Sequence, residues 1–392
     1  MEMNNSINSD EYTFISHDLM AETTTFFDIE SGNQLFVNLP SSIVVTDLNH
    51  LKTLLPNLDG ANVSIAEEGT TIRVFYNREK WYTSTKRKLQ AFKSRWADKT
   101  CTFGATFAQA VRNELGELDD ERPDQEFLEA FYEQYLDKDK IYFFVLRNTE
   151  GERIVCDPPE NAKALHICTQ KNGVNDFKHR ICINIGPFTH TTTIKNNYTD
   201  IKCVLDEIDY HTHQGVIVEQ NGVFYKLLVP EYAKLAAIRG STASLKMCYL
   251  KLRNPEFFKE RHLFLKLYPS FASQVEQLET DIYLVCCRLH KIYMDKFIGK
   301  RQLNLNITDA SAIKIIHKRH IVDKLPTTPN KINDILVDYP VTINHLLKEK
   351  TRFENHCAQQ ESNCLETFKP PSSQNTINMF SRQHHQHAML HD

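Results

Sequence analysis

Short runs of β-branched and aromatic residues dominate the first 230 positions, and helical spacing takes over afterwards. Val63-Ser64-Ile65, Thr71 to Tyr76 and Trp81 to Thr85 read as strands, the last two forming a hairpin across Asn77-Arg78-Glu79-Lys80. Phe103, Phe107, Val111 and Leu115, then Phe127, Leu128, Phe131 and Tyr135, recur every three or four residues on either side of Pro123, which predicts helix, break, helix. Ile141 to Leu146, Arg153 to Cys156 and Leu165 to Cys168 read as further strands. Gly215 to Val218 and Val223 to Leu227 flank Glu219-Gln220-Asn221-Gly222, whose Asn-Gly pair is a hairpin signal. Beyond residue 231 the apolar positions of 232–238, 271–297 and 313–324 predict helices.

The fold class expected from this order is α+β. An irregular N-terminal segment (1–60) precedes a domain of antiparallel sheets with helices (61–235), a helical C-terminal domain (236–360) and a tail (361–392). The tail is expected to be flexible: residues 365–392 hold a Pro-Pro pair, many amides and four histidines, too little apolar surface to offset the entropy of ordering. With 392 residues, 41% hydrophobic and 24% charged, the composition excludes a chain disordered throughout. No apolar run approaches the roughly 18 to 20 residues that span a bilayer, and the polar start lacks a signal-peptide layout, so a cytoplasmic protein without a membrane partner is expected. The ten cysteines show no C-x-x-C spacing, and free thiols are expected. His211-Thr212-His213 and the tail histidines read as surface residues, so no metal site is assigned. His317 to His320 and the Cys286-Cys287 pair read as a solvated turn and as core.

A net charge of −4 argues against coating nucleic acid by overall charge, but the charges are segregated. Residues 78–99 carry eight Lys/Arg against two acids, and residues 117–139 carry ten acids against two cations. Lys80, Trp81, Lys86, Arg87, Lys88, Lys93 and Arg95 mix cations with an aromatic, as a single-stranded or A-form RNA site requires, and RNA is the expected partner. The structural alternative is a solvated face with buried tryptophans.

Glu67-Glu68-Gly69-Thr70-Thr71-Ile72-Arg73, then Arg153-Ile154-Val155, then Gln214-Gly215-Val216-Ile217 and finally Lys226 stand in an order that resembles the covalent nucleotidyltransferase superfamily. That superfamily comprises RNA ligases, DNA ligases and mRNA capping enzymes, and the resemblance is closest to phage-type RNA ligases. It covers roughly residues 61 to 235. The chain is also similar to RNA-ligase-like proteins of large DNA viruses that share a Glu-Gly-Thr, Ile-Arg-Val-Phe, Lys-Trp-Tyr, Ser-Thr block, with further likeness at Arg239-Gly240-Ser241 and 249–253. The resemblance implies a nucleotide site at Glu68, Gly69, Arg73, Gln214, Gly215 and Lys226, served by ATP with Mg²⁺ if the protein is active. It also implies a lysine whose neutral amine attacks the α-phosphate.

That lysine should occupy position 66, which is Ala66, and no lysine lies between Lys52 and Lys80. Leu146 and Gln214 stand where carboxylates are implied, and Leu228 where a second phosphate-facing lysine is implied. The leading expectation is therefore an RNA-ligase-like fold with a degenerate site that binds RNA ends or duplex. One alternative is an active ligase or capping-type transferase using a displaced lysine, Lys80 or Lys226. A variant would join ends that arrive already adenylated. The last alternative is a scaffolding protein whose acidic segment and helical domain bind partners.

Overall fold

The computed structural model describes residues 12–16, 24–28, 34–86, 88–95, 101–148, 153–240, 242 and 244–367, with side chains between 38 and 355. The chain divides into two compact units, Met1–Leu245 and Lys246–Asp392.

The first unit opens with a three-stranded antiparallel sheet, β1 (Tyr12–Ser16), β2 (Thr24–Asp28) and β3 (Gln34–Val37). There follow β4 (Ile43–Val45), α1 (Leu48–Leu54), β5 (Asn62–Ala66), β6 (Thr70–Asn77) and β7 (Lys80–Thr85). The expectation of an irregular stretch before residue 61 is thus corrected. Its polar punctuation concealed strands of three to five residues, too short for a periodicity to register.

The β6–β7 hairpin closes over Arg78 and Glu79 with φ of 46° and 61°, the left-handed pair that matches the twist of the flanking strands. Next come α2 (Phe103–Leu115), capped by the Thr102 hydroxyl at one end and by left-handed Gly116 at the other, and α3 (Asp124–Tyr135), which starts directly after Pro123. β8 (Ile141–Arg147), β9 (Lys163–Lys171) and β10 (Val174–Asp176) complete a sheet of order β10-β9-β8-β6-β7. Its outer face, including Ile72, Val74, Tyr142 and Phe144, buries against Phe107, Val111, Phe127 and Phe131 of α2 and α3. Each of these buried aromatic side chains contributes about 2 kcal/mol.

A second sheet is made from later strands. β11 (Cys182–Ile183) and β12 (Gly186–Pro187) pair with each other, and β13 (Thr193–Ile194) adds to β5. After α4 (Tyr198–Glu207) come β14 (Gly215–Gln220) and β15 (Val223–Leu228), and the order is β13-β5-β14-β15-β4, with β4 parallel to β15. The outer face of Val63, Val216, Val218 and Leu227 packs on Leu51 of α1 and Ile201 of α4. α5 (Pro230–Arg239) follows. Each large sheet thus buries one face under helices, and the two opposite faces line a common cleft.

Residues 38–42 run across from one sheet to the other. The Arg73 guanidinium of β6 donates to Asn38 Oδ1, Asn38 Nδ2 donates to the Lys86 carbonyl at 3.3 Å, and Lys86 Nζ donates to Ser41 Oγ at 2.5 Å. Immediately afterwards β4 joins the other sheet through β15.

The second unit is helical: α6 (Leu245–Lys251), α7 (Phe258–Leu267), α8 (Pro269–Ala272), α9 (Val275–Tyr293), α10 (Ile307–Asp323), α11 (Pro329–Leu336) and α12 (Pro340–Thr367). Its core joins Leu250, Ile282, Leu289, Ile313, Ile316, Ile332 and Leu346. Cys286 is buried there, and burial pushes its thiol up to about 12. His317 stacks on Phe297 at 3.9 Å and meets the Tyr293 hydroxyl at 3.1 Å, so it packs rather than extending a solvated turn. α12 continues past residue 361, where the tail was expected to start, and residues 368–392 lie outside the described residues. Among the described residues no helix is long and apolar enough to cross a membrane.

Candidate functional site

Ala66 ends β5, is fully buried, and lies opposite Gly215 in the antiparallel ladder, its carbonyl accepting from the Gln214 amide at 3.0 Å. The two glutamates that follow have different partners. Glu67 faces the cleft and meets Arg147 Nη1 at 3.2 Å and His213 Nε2 at 3.3 Å. The buried Glu68 carboxylate accepts from the amides of Ile154, Val155 and Cys156 at 2.5, 2.8 and 3.1 Å and from the Tyr232 hydroxyl at 2.9 Å. Residues 153–156, expected as a strand, are therefore a turn whose amides converge on one carboxylate, since Glu68 replaces a ladder as their acceptor. The apolar triplet Ile154-Val155-Cys156 carries a strand's composition, but a buried anion decides its conformation.

Two glycines permit the close approaches here. A Cβ on Gly69 would collide with the Leu146 carbonyl oxygen, and one on Gly215, at φ 149°, with that of Leu227.

The cleft encloses about 740 Å³. One sheet supplies Thr71, Val145 and Ile167, and the other supplies Asn62, Ser64, Ile217 and Lys226. Ser64, Ile217 and Lys226 share one row across β5, β14 and β15, so they point to the same side. Lys226 Nζ donates to Gln214 Oε1 at 3.1 Å. Burial lowers its pKa, an effect that Glu68 partly opposes, and so raises the share of neutral amine.

Lys86, Lys178, Arg180 and Lys195 also line the cleft. Among the described residues none of these four, nor Lys226, has a carboxylate within ion-pair distance. The cleft carboxylates are already engaged: Glu67 as above, and Glu219 by Asn62 Nδ2 at 2.7 Å and the Gly222 amide at 2.8 Å. His190 completes the wall, its Nδ1 against the Thr191 carbonyl at 2.8 Å and its pKa lowered chiefly by burial. Among the described residues no three His, Cys, Asp or Glu side chains gather as a metal site. His211 faces Asp157 at 3.4 Å, and the tail histidines lie outside the described residues.

Of the residues expected at a nucleotide site, Gly69, Gln214 and Lys226 line the cleft and Gly215 adjoins them. Glu68 holds the turn instead, and buried Arg73 holds Asn38 and the Thr85 carbonyl. The described residues of the basic run differ in their surroundings. Trp81 is buried, with Nε1 donating to Glu133 at 2.9 Å, so it offers no face for a base. Lys80 extends over the Tyr82 ring and does not line the cleft, whereas Lys86 does. Lys88, Lys93 and Arg95 are exposed, and Arg87 lies outside the described residues. Lys178, Arg180, Lys195 and His190 were not anticipated. Their signal in the sequence is faint, a Lys-His-Arg triplet and scattered polar residues between strands of two or three residues.

No protein-family model matches the chain. It is 25% identical over 319 residues, 78% of its length, to an immediate-early protein ICP-46 homolog of Invertebrate iridescent virus 3, of which it spans 65%. It is likewise 25% identical over 340 residues to the ICP-46 homolog of Invertebrate iridescent virus 6, covering 80% of this chain and 72% of that one. Among solved structures it is similar to an archaeal ATP-dependent RNA ligase, with a TM-score of 0.36 and 11% identity over 68% of this chain and 69% of the other. The chain is thus an α+β protein similar in sequence to iridovirus ICP-46 proteins.

Proposed function

We propose that the cleft between the two large sheets binds the phosphates of a nucleotide or of a 5′-phosphorylated RNA end, and that no lysyl-nucleotide forms at position 66. The observation that carries this reading is the set of five cations, Lys86, Lys178, Arg180, Lys195 and Lys226, lining one concave site without carboxylate partners. Cations left unpaired in a partly desolvated groove repel one another, and a polyanion relieves that repulsion. Ala66 carries no amine, so the family's first covalent step has no nucleophile there. The exposed Lys88 and Lys93 would contact an RNA backbone outside the cleft in a salt-dependent way.

The partly desolvated Lys226 amine favours a second reading, in which this lysine attacks an α-phosphate in place of residue 66. One experiment separates the two: incubation with α-labelled ATP or GTP, with and without Mg²⁺, followed by denaturing electrophoresis and peptide mapping. Saturable binding of nucleotide or 5′-phosphorylated RNA without a covalent adduct is the expected result. An acid-labile adduct on Lys226 establishes the second reading, and absence of any saturable binding at low salt rejects both.

A further inference from the structure

We infer that this cleft takes its polyphosphate ligand as the free anion, its own cations standing in for a bridging divalent metal. The inference rests on the proposed phosphate-binding reading and extends it to the form of the ligand. Mg²⁺ requires near-octahedral oxygen ligation at about 2.0 to 2.1 Å and is ordinarily held by one or two carboxylates together with ligand phosphates.

The donor set here does not fit. The carboxylates that line the cleft are Glu67 and Glu219. The first is opposed by Arg147 and His213, the second by Asn62 and the Gly222 amide, and recruiting either to a metal would cost those existing partners. Gln214 offers a neutral amide oxygen that already accepts from Lys226. Leu146 brings an apolar side chain into the core cluster on the other face of its sheet.

The positive charge a metal would supply is present covalently. Lys226 reaches from β15 and Lys86 from the end of β7, so ammonium groups approach the cleft from both sheets, with Lys178, Arg180 and Lys195 along its wall. A divalent cation entering beside them meets like charge. A free nucleoside triphosphate carries about two more negative charges than its magnesium complex, and beside five cations that difference favours the free form by of order tenfold.

The test is calorimetric titration of the full chain with ATP, and separately with a 5′-phosphorylated oligoribonucleotide, in EDTA and in excess MgCl₂ at matched ionic strength. ATP is expected to bind in EDTA at least as tightly as in Mg²⁺, with a gain of order tenfold. Gln214→Glu, which returns a carboxylate beside Lys226, is expected to weaken binding in EDTA and to abolish that preference. ATP binding that requires Mg²⁺ or is strengthened by it overturns the inference while leaving the phosphate-binding reading intact. If neither ligand binds in either buffer, the phosphate-binding reading fails and this inference falls with it.

Discussion

The two sides of the turn at residues 66 to 69 contrast sharply. Behind the turn, the Glu68 carboxylate collects four donors from residues 154–156 and Tyr232, and the tight packing at Gly69 leaves no room for a side chain. In front of it, Gln214 lines the cleft where the ligase resemblance implies a carboxylate, and Ala66 and Leu228 stand in the adjoining strands where it implies amines. The same short segment thus holds backbone segments together on one side and borders a concave surface on the other, and the two tasks rest on different residues.

The contrast can be broken most severely at Glu68. Glu68→Ala leaves three amides and a phenol in the interior without their acceptor, and is expected to cost roughly 3 kcal/mol or more of stability in urea denaturation. A cost below about 1 kcal/mol would show that water replaces the carboxylate and that the hub is dispensable.

His166 offers a pH handle on the wall behind the cleft. Burial, helped by His190 and His179, lowers its pKa to about 3 from 6.5, so the unfolded chain binds more protons between those values. Stability is accordingly complete above pH 6.5 and falls as the pH drops toward 3, by up to about 2 kcal/mol between pH 6.5 and 5. His166→Phe is expected to flatten that slope in acid-denaturation curves; an unchanged slope would assign the acid sensitivity elsewhere.

On the cleft side, Lys226→Ala is expected to weaken ATP binding about tenfold and to reduce its salt dependence, with folding stability barely altered. Unchanged affinity would remove this lysine from the phosphate site. The smallest effect concerns the hairpin ends. Asn221-Gly222 supplies residues suited to its left-handed turn, whereas Arg78-Glu79 adopts the same turn with side chains that disfavour it. Replacing Arg78-Glu79 by Asn-Gly is expected to raise stability by about 1 kcal/mol, read as an increase in Tm, and a decrease would show that the Arg78 or Glu79 side chain stabilises the turn by more than its backbone costs.

The same contrast explains which features were legible in the sequence. Period-3.6 spacing around Pro123, the Asn-Gly turn and the 71–85 hairpin are local signals, and α2, α3, β14 and β15 follow them closely. The set of cations lining the cleft is not local: Lys86, Lys178, Arg180, Lys195 and Lys226 come together only when two sheets face each other. Trp81 shows the converse error. Its cationic neighbours suggested a stacking surface, but strand alternation turns its ring inward onto Tyr132, at 5.4 Å between centroids. Arg73 likewise falls on the cleft-facing side of its sheet, yet Asn38 covers it, a contact 35 residues distant in the chain that no spacing rule anticipates.

The three-residue strand β4 has a consequence for handling the protein. It seals the outer edge of β15 by parallel pairing at Tyr225, Lys226 and Leu227, and it is itself too short to recruit another chain efficiently. A fragment begun at residue 61, where the motif-bearing region starts, would uncover that edge and also strip Leu51 from the apolar face beneath it. Such a fragment is expected to aggregate edge to edge, and the sheet pair needs the chain from at least residue 38, where Asn38 meets the buried Arg73.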